Sequence, residues 1–346
     1  MGYSKPQIGY IQAAIASMLT LVPWLAGRLT DRWTRAERTL QLCGMGMLAT
    51  AILMTVFLQS KMWFVVALFL FSLFRAPVIS MLDTIALQVG DGAARSYSML
   101  RMMGSLGFAF SATAFSYLLR PGNYHPMIPW LCGLVFLFAI LNFSIGRSPN
   151  VHSVSKTAFW SGLSKNWWIW LAAMALHWTA FGPYHYGFTF LLSETSIPAI
   201  YHGWIWSLGV LAEILVFWFS GRIFLFLDYR KALLLAFFAN LVRWSLTGLL
   251  PIPSVVVLCQ LLHGFGFALF YAAAIQGIRQ YSRGTQLASF QGLFSTVVGG
   301  LASIVGLSLA GLLHGAMAFH NVLLWMVPLQ LLALILLWRF PLNLPS

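Results

Sequence analysis

A glutamate lies in the middle of an otherwise apolar run of the sequence. Glu213 belongs to the stretch GVLAEILVFWFSGR, residues 209–222. An ionised carboxylate in hydrocarbon costs several kcal/mol, so such a glutamate is protonated, paired with a cation, or facing a polar cavity. It is therefore a candidate proton acceptor, and its surroundings decide between the three states.

Two further ionisable residues reach a similar depth in the next two apolar runs. At about 1.5 Å per residue, Glu213 lies roughly 14 Å from Arg222 at the edge of its own run. By the same count Arg243 lies about 18 Å from Lys231, at the edge of the second run. His263 belongs to the third run and lies about 14 Å from its outer edge. Consecutive helices are thus expected to bring an acid, a guanidinium and an imidazole together as a proton-coupling site.

Protonation of this acid can follow conformation. Burial favours the neutral form of Glu213, and a nearby guanidinium favours the ionised form. A second interpretation stays open: a permanent ion pair of Glu213 with Arg243 fixes packing, and His263 is hydrogen-bonded and inert.

Other polar residues share faces with these groups and are candidate solute contacts. Asn240 lies three residues before Arg243 and Thr247 four residues after it, which places a polar stripe on one helix face. Gln260 lies one turn before His263 on the same face. We expect these faces, with Asn240 and Gln260, to line a cavity rather than lipid.

Arg75 lies inside another apolar run, with its nearest acid, Asp83, about two turns away. An unmatched cation within the membrane is suited to binding an anionic solute. Pairing of Arg75 with Asp83, or with backbone carbonyls, explains the residue equally well.

The stretch HWTAFGPYHYGF, residues 177–188, places Gly and Pro inside an aromatic run, where a helix is expected to kink. His177 and Tyr184 lie on one helical face and are candidate contacts for a planar solute. Packing within the core is the alternative for every aromatic residue of this run.

The composition identifies the elements that carry these residues as membrane helices. The 346 residues are 60% hydrophobic and 8% charged, whereas soluble domains carry roughly 25% charged residues. An all-α polytopic membrane protein is predicted, and the net charge of +13 is attributed to loops rather than to nucleic-acid binding. The eleven predicted spans are Gln7–Arg28, Thr39–Leu58, Met62–Ala86, Tyr97–Leu118, Met127–Gly146, Trp167–Leu192, Ala199–Ser220, Lys231–Leu250, Ser254–Gly277, Gln286–Leu313 and Phe319–Trp338.

Basic residues concentrate in alternate connections, which sets the predicted orientation. The opposite side carries only Lys5, Lys61 and Arg120. By the positive-inside rule the basic loops and the C-terminus are cytoplasmic, and Met1 is outside.

Two segments repeat one pattern. PQIG followed by a span and GRLTDRW at Gly27 corresponds to PAIYHG followed by a span and GRIFLFLDYRK at Gly221. The repeat predicts two bundles, residues 1–146 with five spans and 167–346 with six, joined by a cytoplasmic linker, residues 147–166. The first bundle then lacks an opening helix, through a late start site or a real loss, although a chain with eleven helices remains possible.

The loop GRLTDRWTRAER resembles the signature G-x-L-[AT]-D-R-x-x-R of the major facilitator superfamily. In that family the motif follows the second helix, which agrees with a missing first helix. The resemblance implies that Asp31 accepts from backbone amides or pairs with a basic residue of the fourth span when the cytoplasmic side is closed. The conformational gate predicted in this way comprises Gly27, Asp31, Arg32, Arg35 and Arg101.

Within that superfamily the chain is similar to the phenylpropionate permease branch, near the lactose permease and nucleoside symporter group. The similar segments are RMMGSLGF, LGVLAEILVFWFSGR, LVRW and QLLHGFGFALFYAAA. Lactose permeases also place an acid, an arginine and a histidine on the corresponding three helices. Two departures are Met99, where the branch has a second arginine, and Gly266, where lactose permeases have a further acid.

The resemblance implies a monomeric proton symporter in a bacterial inner membrane, importing a small organic solute such as 3-phenylpropionate. Sugar or nucleoside symport, drug efflux by antiport, and a non-transporting membrane scaffold are the alternatives. No phosphate-binding loop, metal-ligand spacing or clustered carboxylates occur, so no enzyme activity, cofactor or metal is predicted.

Overall fold

The residues that the structure describes lie mostly in helices. The computed structural model describes residues 5–33, 35–89, 94–118, 127–146, 163–198, 201–282 and 286–340, and no strand occurs among them. Long apolar runs favour helices in a membrane because each backbone N–H and C=O finds its partner within the run. The α-helices are α1 Lys5–Trp33, α2 Ala36–Val56, α3 Lys61–Arg75, α4 Val78–Val89, α5 Ala94–Leu118, α6 Met127–Phe143, α7 Lys165–Glu194, α8 His202–Phe226, α9 Tyr229–Leu249, α10 Pro253–Leu258, α11 Phe270–Ser282, α12 Leu287–Phe294, α13 Ser303–His314 and α14 Phe319–Arg339.

Seven of the described helical spans are long and apolar enough to cross a membrane. They agree with an all-α polytopic protein, while the number of eleven spans stays a prediction. The seven spans are Ala36–Val56, Lys61–Leu87, His202–Phe226, Tyr229–Leu249, Pro253–Ser282, Leu287–His314 and Phe319–Arg339. Met127–Phe143 is a shorter apolar helix.

Two of these spans leave α geometry in their middle. Pro253–Ser282 contains a 3₁₀ helix, Cys259–Leu262, and a π-helix, Phe265–Leu269. Leu287–His314 contains a second π-helix, Ser295–Ala302. Such turns occur frequently at functional sites because they release backbone groups from the regular ladder.

Contacts divide the chain into two units. Unit 1 comprises Met1–Val89, Phe110–Val154 and Gly284–Gly300, and unit 2 comprises Gly90–Ala109, Ser155–Arg283 and Leu301–Ser346. The predicted bundles 1–146 and 167–346 stay a prediction. Most of the predicted linker, residues 147–162, lies outside the described residues.

In unit 1, α2 packs against α3, α4 and α6, while α1 packs against α12. Met47, Ala51 and Phe71 belong to the apolar core between α2, α3 and α6. A Cβ added at Gly292 would overlap the backbone of Pro23, so α1 and α12 approach closely through a small residue.

In unit 2, α7 packs against α13 and α14, and α9 packs against α14 and α11. A Cβ added at Gly182 would overlap the backbone of Gly306, which brings α7 and α13 into close contact. The departure of α7 from helical geometry lies at Gly187, four residues after Pro183. Large apolar side chains such as Phe226, 83% exposed, cover the outside, as a lipid-facing surface requires.

Candidate functional site

Glu213, Arg243 and His263 lie in contact inside unit 2. The Oε1 atom of Glu213 is 2.6 Å from Nε2 of His263, and Nη1 of Arg243 is 3.1 Å from Nδ1 of the same ring. Helices α8 and α9 supply the acid and the guanidinium, and the first of the two residues between the 3₁₀ helix and the π-helix supplies the imidazole. The exposed fractions are 7%, 1% and 3%, so the three groups form a buried cluster, which depth counting predicts.

The hydrogen bonds define the proton positions in this cluster. A guanidinium has donors and no acceptor, so Nδ1 of His263 accepts from Arg243. In the neutral ring Nε2 then carries the hydrogen and donates it to Oε1 of Glu213. The imidazole therefore lies between the cation and the acid, and Glu213 has His263 rather than Arg243 as its direct partner.

Ser105 of α5 donates a hydrogen bond to the second carboxylate oxygen of Glu213. Its Oγ is 3.1 Å from Oε2, and both residues belong to unit 2. Both oxygens of Glu213 thus accept a hydrogen bond, an arrangement that suits the ionised form. A serine hydroxyl both donates and accepts, so it can also turn to accept a hydrogen bond from a protonated Oε2.

Gln260 and Tyr184 extend the cluster on the side of the guanidinium. Oε1 of Gln260 accepts from Nη2 of Arg243 at 3.1 Å and from the Tyr184 hydroxyl at 3.3 Å. Both residues are buried, and Nε2 of Gln260 is buried with no hydrogen-bond partner. The network Glu213, His263, Arg243, Gln260, Tyr184 and Ser105 is named here the charged network.

Aromatic rings surround the guanidinium of this network. The Cζ atom of Arg243 lies 4.4 Å from the ring centroid of Tyr184, 4.6 Å from that of Trp244 and 5.7 Å from that of Phe181. Ring faces attract a cation, and the attraction strengthens when water is excluded. Arg243 is thus held by neutral acceptors and ring faces. The imidazole of His263 separates it from Glu213, the acid of the network.

A second buried histidine belongs to a different network in the same unit. Nε2 of His177 lies 3.0 Å from the carbonyl oxygen of Gly266, and its Nδ1 lies 3.0 Å from Nε2 of Gln330. Gln330 also donates to the carbonyl of Phe237 and accepts from Nδ2 of Asn240 at 3.1 Å. We name His177, Gln330, Asn240 and the Gly266 carbonyl the neutral network, because every partner is an amide or a carbonyl.

Four of the five candidate solute residues are divided between these networks. Tyr184 and Gln260 belong to the charged network, whereas His177 and Asn240 belong to the neutral one. Oδ1 of Asn240 is buried without a hydrogen-bond partner. Arg75 lies in unit 1 at the end of α3 with its side chain exposed. The solute-binding role of all five stays a prediction.

The loop motif contacts the start of α12 within unit 1. Oδ2 of Asp31 accepts a hydrogen bond from the backbone N–H of Ser289 at 2.7 Å. Ser289 is the third residue of α12, so the carboxylate lies where a helix N-terminus attracts negative charge. A Cβ added at Gly27 would overlap the backbone of Ala288, which explains the glycine of the motif.

The arginines predicted to belong to the gate make other contacts. Nη1 of Arg35 lies 3.9 Å from Oε1 of Glu37, and Arg32 is exposed. The guanidinium of Arg101 lies over the ring of Tyr271, 5.1 Å from its centroid. The gating role of these residues stays a prediction.

Two members of the networks were not predicted from the sequence. Gln330 lies in the apolar run LWMVPLQLLALILLW, so the reasoning applied to Glu213 would have identified it. Ser105 has no such signal, because a serine in a membrane helix also serves close packing.

A family model described as the MFS_1 like family matches residues 1–325. The chain is 26% identical over 260 residues to the "Probable 3-phenylpropionic acid transporter" of Escherichia coli (strain K12), covering 73% of this chain and 68% of the relative. It is 30% identical over 130 residues to the "Putative nucleoside transporter YegT" of the same organism, which covers 37% of this chain and 30% of that relative.

Solved structures share the fold. The crystal structure of the MFS transporter FucP in the outward conformation aligns with a TM-score of 0.77 at 13% identity, covering 99% of this chain and 92% of FucP. The crystal structure of the nucleoside transporter NupG aligns with a TM-score of 0.62 at 17% identity, covering 97% and 90%. At these identities the likeness concerns the fold alone.

Proposed function

Since the chain belongs to the MFS_1 like family, whose members are integral membrane transporters, we propose that it is a proton-coupled symporter of a small aromatic carboxylate. The family resemblance and the all-α major facilitator fold predicted from the sequence are confirmed, and the protein is a transporter rather than an enzyme. The observation that carries the proposal is the buried hydrogen-bonded chain from Glu213 through His263 to Arg243.

The net charge of these hydrogen-bonded side chains links proton binding to anion binding. With Glu213 ionised and His263 neutral, the negative acid balances the positive Arg243, and the buried network carries no net charge. A proton on Glu213 leaves a net charge of +1 in a site where an unbalanced charge is costly. A carboxylate that binds the network restores neutrality, so proton and anion each increase the affinity for the other.

Each network residue has a role in this proposal. Glu213 takes the proton, and Ser105 accommodates it on Oε2. His263 transmits the electrostatic influence of Arg243 to the acid, and Arg243 attracts the solute carboxylate. Gln260 offers its unpartnered Nε2 as a further donor to that carboxylate.

The aromatic part of the proposed solute rests on the surrounding rings and on the relative. The ring of Trp206 lies beside the Tyr184 ring of the network, 4.7 Å apart between centroids, and Tyr184 also borders His263. The relative described as a probable 3-phenylpropionic acid transporter supports an aromatic carboxylate. Its organism supports a bacterial inner membrane, where we propose that the protein acts as a monomer.

A neutral hydroxylated solute, such as a nucleoside or sugar, is the second candidate. The buried Nε2 of Gln260 and Oδ1 of Asn240 lack hydrogen-bond partners, and such a donor and acceptor suit hydroxyl groups. The similarity to YegT supports this candidate over a shorter part of the chain.

Proteoliposomes with an imposed pH gradient test the proposal. Purified protein is reconstituted, and uptake of labelled 3-phenylpropionate into an alkaline lumen is compared with uptake of labelled uridine. Glu213→Gln is expected to reduce gradient-driven uptake by at least about tenfold, the effect of roughly 1.4 kcal/mol on a proton-linked step. Exchange of internal for external solute continues in the variant because it needs no net proton movement.

Glu194→Gln is the matched control. Glu194 accepts from the backbone N–H of His320 at 3.1 Å and from that of Phe319, so it caps α14 and lies outside the charged network. Its substitution removes the same charge and should leave gradient-driven uptake in place. Undiminished uptake by Glu213→Gln would contradict coupling through this acid, and transport of uridine alone would favour the second candidate.

A further inference from the structure

A polar cavity lies in unit 1, apart from both networks. Its volume is about 420 Å³, within the roughly 300–1,000 Å³ typical of ligand sites. The first two turns of α2 form one wall, and residues 143–146 at the end of α6 form the other. We propose that this cavity binds the headgroup of an anionic phospholipid from the membrane leaflet beside it.

The charge of the cavity favours an anion. Arg35, Arg38 and Gln41 follow each other at three-residue intervals along one face of α2, and all three line the cavity. The single acid of the lining, Glu37, lies 3.9 Å from Arg35, a distance too long for a hydrogen bond. The lining therefore keeps a net positive charge, since two guanidinium groups face one carboxylate.

Hydrogen bonds connect the two helices that form the walls of the cavity. Nε2 of Gln41 donates to the carbonyl of Asn142 at 3.3 Å, and Nδ2 of Asn142 lies 3.5 Å from the carbonyl of Leu40. These bonds join α2 to α6 next to the cavity, because Gln41 belongs to its lining. Arg35 is the N-cap residue of α2 and lines the cavity, so the positive end of the helix lies beside it.

Lipid, rather than a soluble anion, is indicated by the apolar surface next to the cavity. Phe143 lines the cavity and is 61% exposed, and Leu42, directly after Gln41, is 68% exposed. The basic stripe from Arg35 to Gln41 rises about 9 Å along α2, comparable with a headgroup layer of roughly 5–8 Å. The basic lining of the cavity would thus contact the headgroup, and the adjacent apolar surface would contact the acyl chains.

Native mass spectrometry of the purified full chain in detergent tests this site. Phosphatidylglycerol and phosphatidylcholine with identical acyl chains are titrated separately, and glycerol phosphate is titrated as the headgroup without chains. We expect phosphatidylglycerol to bind at least about tenfold more tightly than phosphatidylcholine. Arg38→Gln should weaken that binding about fivefold, and Arg35→Gln with Arg38→Gln about 30-fold, from the usual contribution of one basic residue at an anionic membrane surface.

Three controls keep the test decisive. Arg222→Gln removes the same charge from the end of α8 and should change phosphatidylglycerol binding less than twofold, well below the fivefold expected for one basic residue at the site. The double lysine variant, Arg35→Lys with Arg38→Lys, should retain the preference, which separates charge from folding. Equal affinity for both lipids, or a double glutamine variant no weaker than Arg222→Gln, would overturn the proposal. Glycerol phosphate binding as tightly as phosphatidylglycerol would also overturn it, because the site would then recognise a soluble anion.

Discussion

The charged and neutral networks of unit 2 contain histidines in the same protonation state with different partners. In both rings Nδ1 accepts and Nε2 donates, and both histidines are almost fully buried. His263 joins a guanidinium to a carboxylate, whereas His177 joins an amide to a backbone carbonyl. Burial and polarity are therefore shared, and a titratable partner within hydrogen-bond distance is what distinguishes a candidate proton site from a structural one.

Substitution of Arg243 should give the largest difference between the networks. Arg243→Gln leaves the buried acid without its cation, which should lower the free energy of unfolding by about 3–5 kcal/mol, as for other disrupted buried pairs. Gln330→Ala in the neutral network removes hydrogen bonds between uncharged groups and should lower the free energy of unfolding by about 1–3 kcal/mol. Thermal unfolding in detergent and 3-phenylpropionate binding measure the two effects.

Arg243→Lys sharpens this test. Lysine keeps the charge but cannot hold Gln260 and His263 with one planar fork while lying against three rings, so solute binding should still fall. Equal losses for Arg243→Gln and Gln330→Ala would remove the energetic distinction between the networks.

Substitution of the two histidines compares their roles in proton-driven uptake and in stability. Because a glutamine side chain also offers one acceptor and one donor, His263→Gln should keep proton-driven uptake within about tenfold, whereas His263→Phe should lose it. His177→Phe should destabilise the protein by about 1–3 kcal/mol and leave the pH dependence of uptake unchanged. The measurement is uptake between pH 5 and 9, with unfolding followed in parallel.

The result for His263→Gln has two clear readings. Retained pH dependence supports a neutral bridging imidazole beside a titrating Glu213. Loss of all pH dependence, as in Glu213→Gln, would mean that the imidazole itself carries the transported proton.

Ser105 gives the smallest expected effect. Its hydroxyl binds the ionised carboxylate of Glu213 more strongly than the protonated form because a hydrogen bond to an anion is charge-assisted, so Ser105→Ala should move the pH profile of uptake to higher pH by about one unit. Ser105→Thr keeps a hydroxyl and serves as the control. An unchanged profile in both variants would exclude Ser105 from the protonation step.

The sequence predicts the proximity of Glu213, Arg243 and His263 because helix geometry is regular over short distances. Counting residues from the ends of two runs placed Glu213 and Arg243 at one depth, and the face shared with His263 identified Gln260. The proximity of these side chains follows from such counting, while their roles in proton coupling still require the experiments above.

The partners in the neutral network could not be predicted by counting residues along the helices. Asn240 lies one turn from Arg243, yet its amide bonds to Gln330 on α14, because helix rotation depends on packing with distant helices. Pro183 marked the region of the bend in α7, but the departure occurs at Gly187. Tertiary packing also decides the π-helices, for which no local sequence signal was found.

The π-helix Phe265–Leu269 affects how its span presents side chains. An α-helix turns about 100° per residue, and a wider turn changes the angular relation between the residues on either side of it. His263 in the charged network and Tyr271 beneath Arg101 are therefore oriented by the wide turn and not by regular spacing. Removing one residue from Phe265–Leu269 would rotate Phe270–Ser282 against the imidazole, so the length of this segment is as much a part of the site as its side chains.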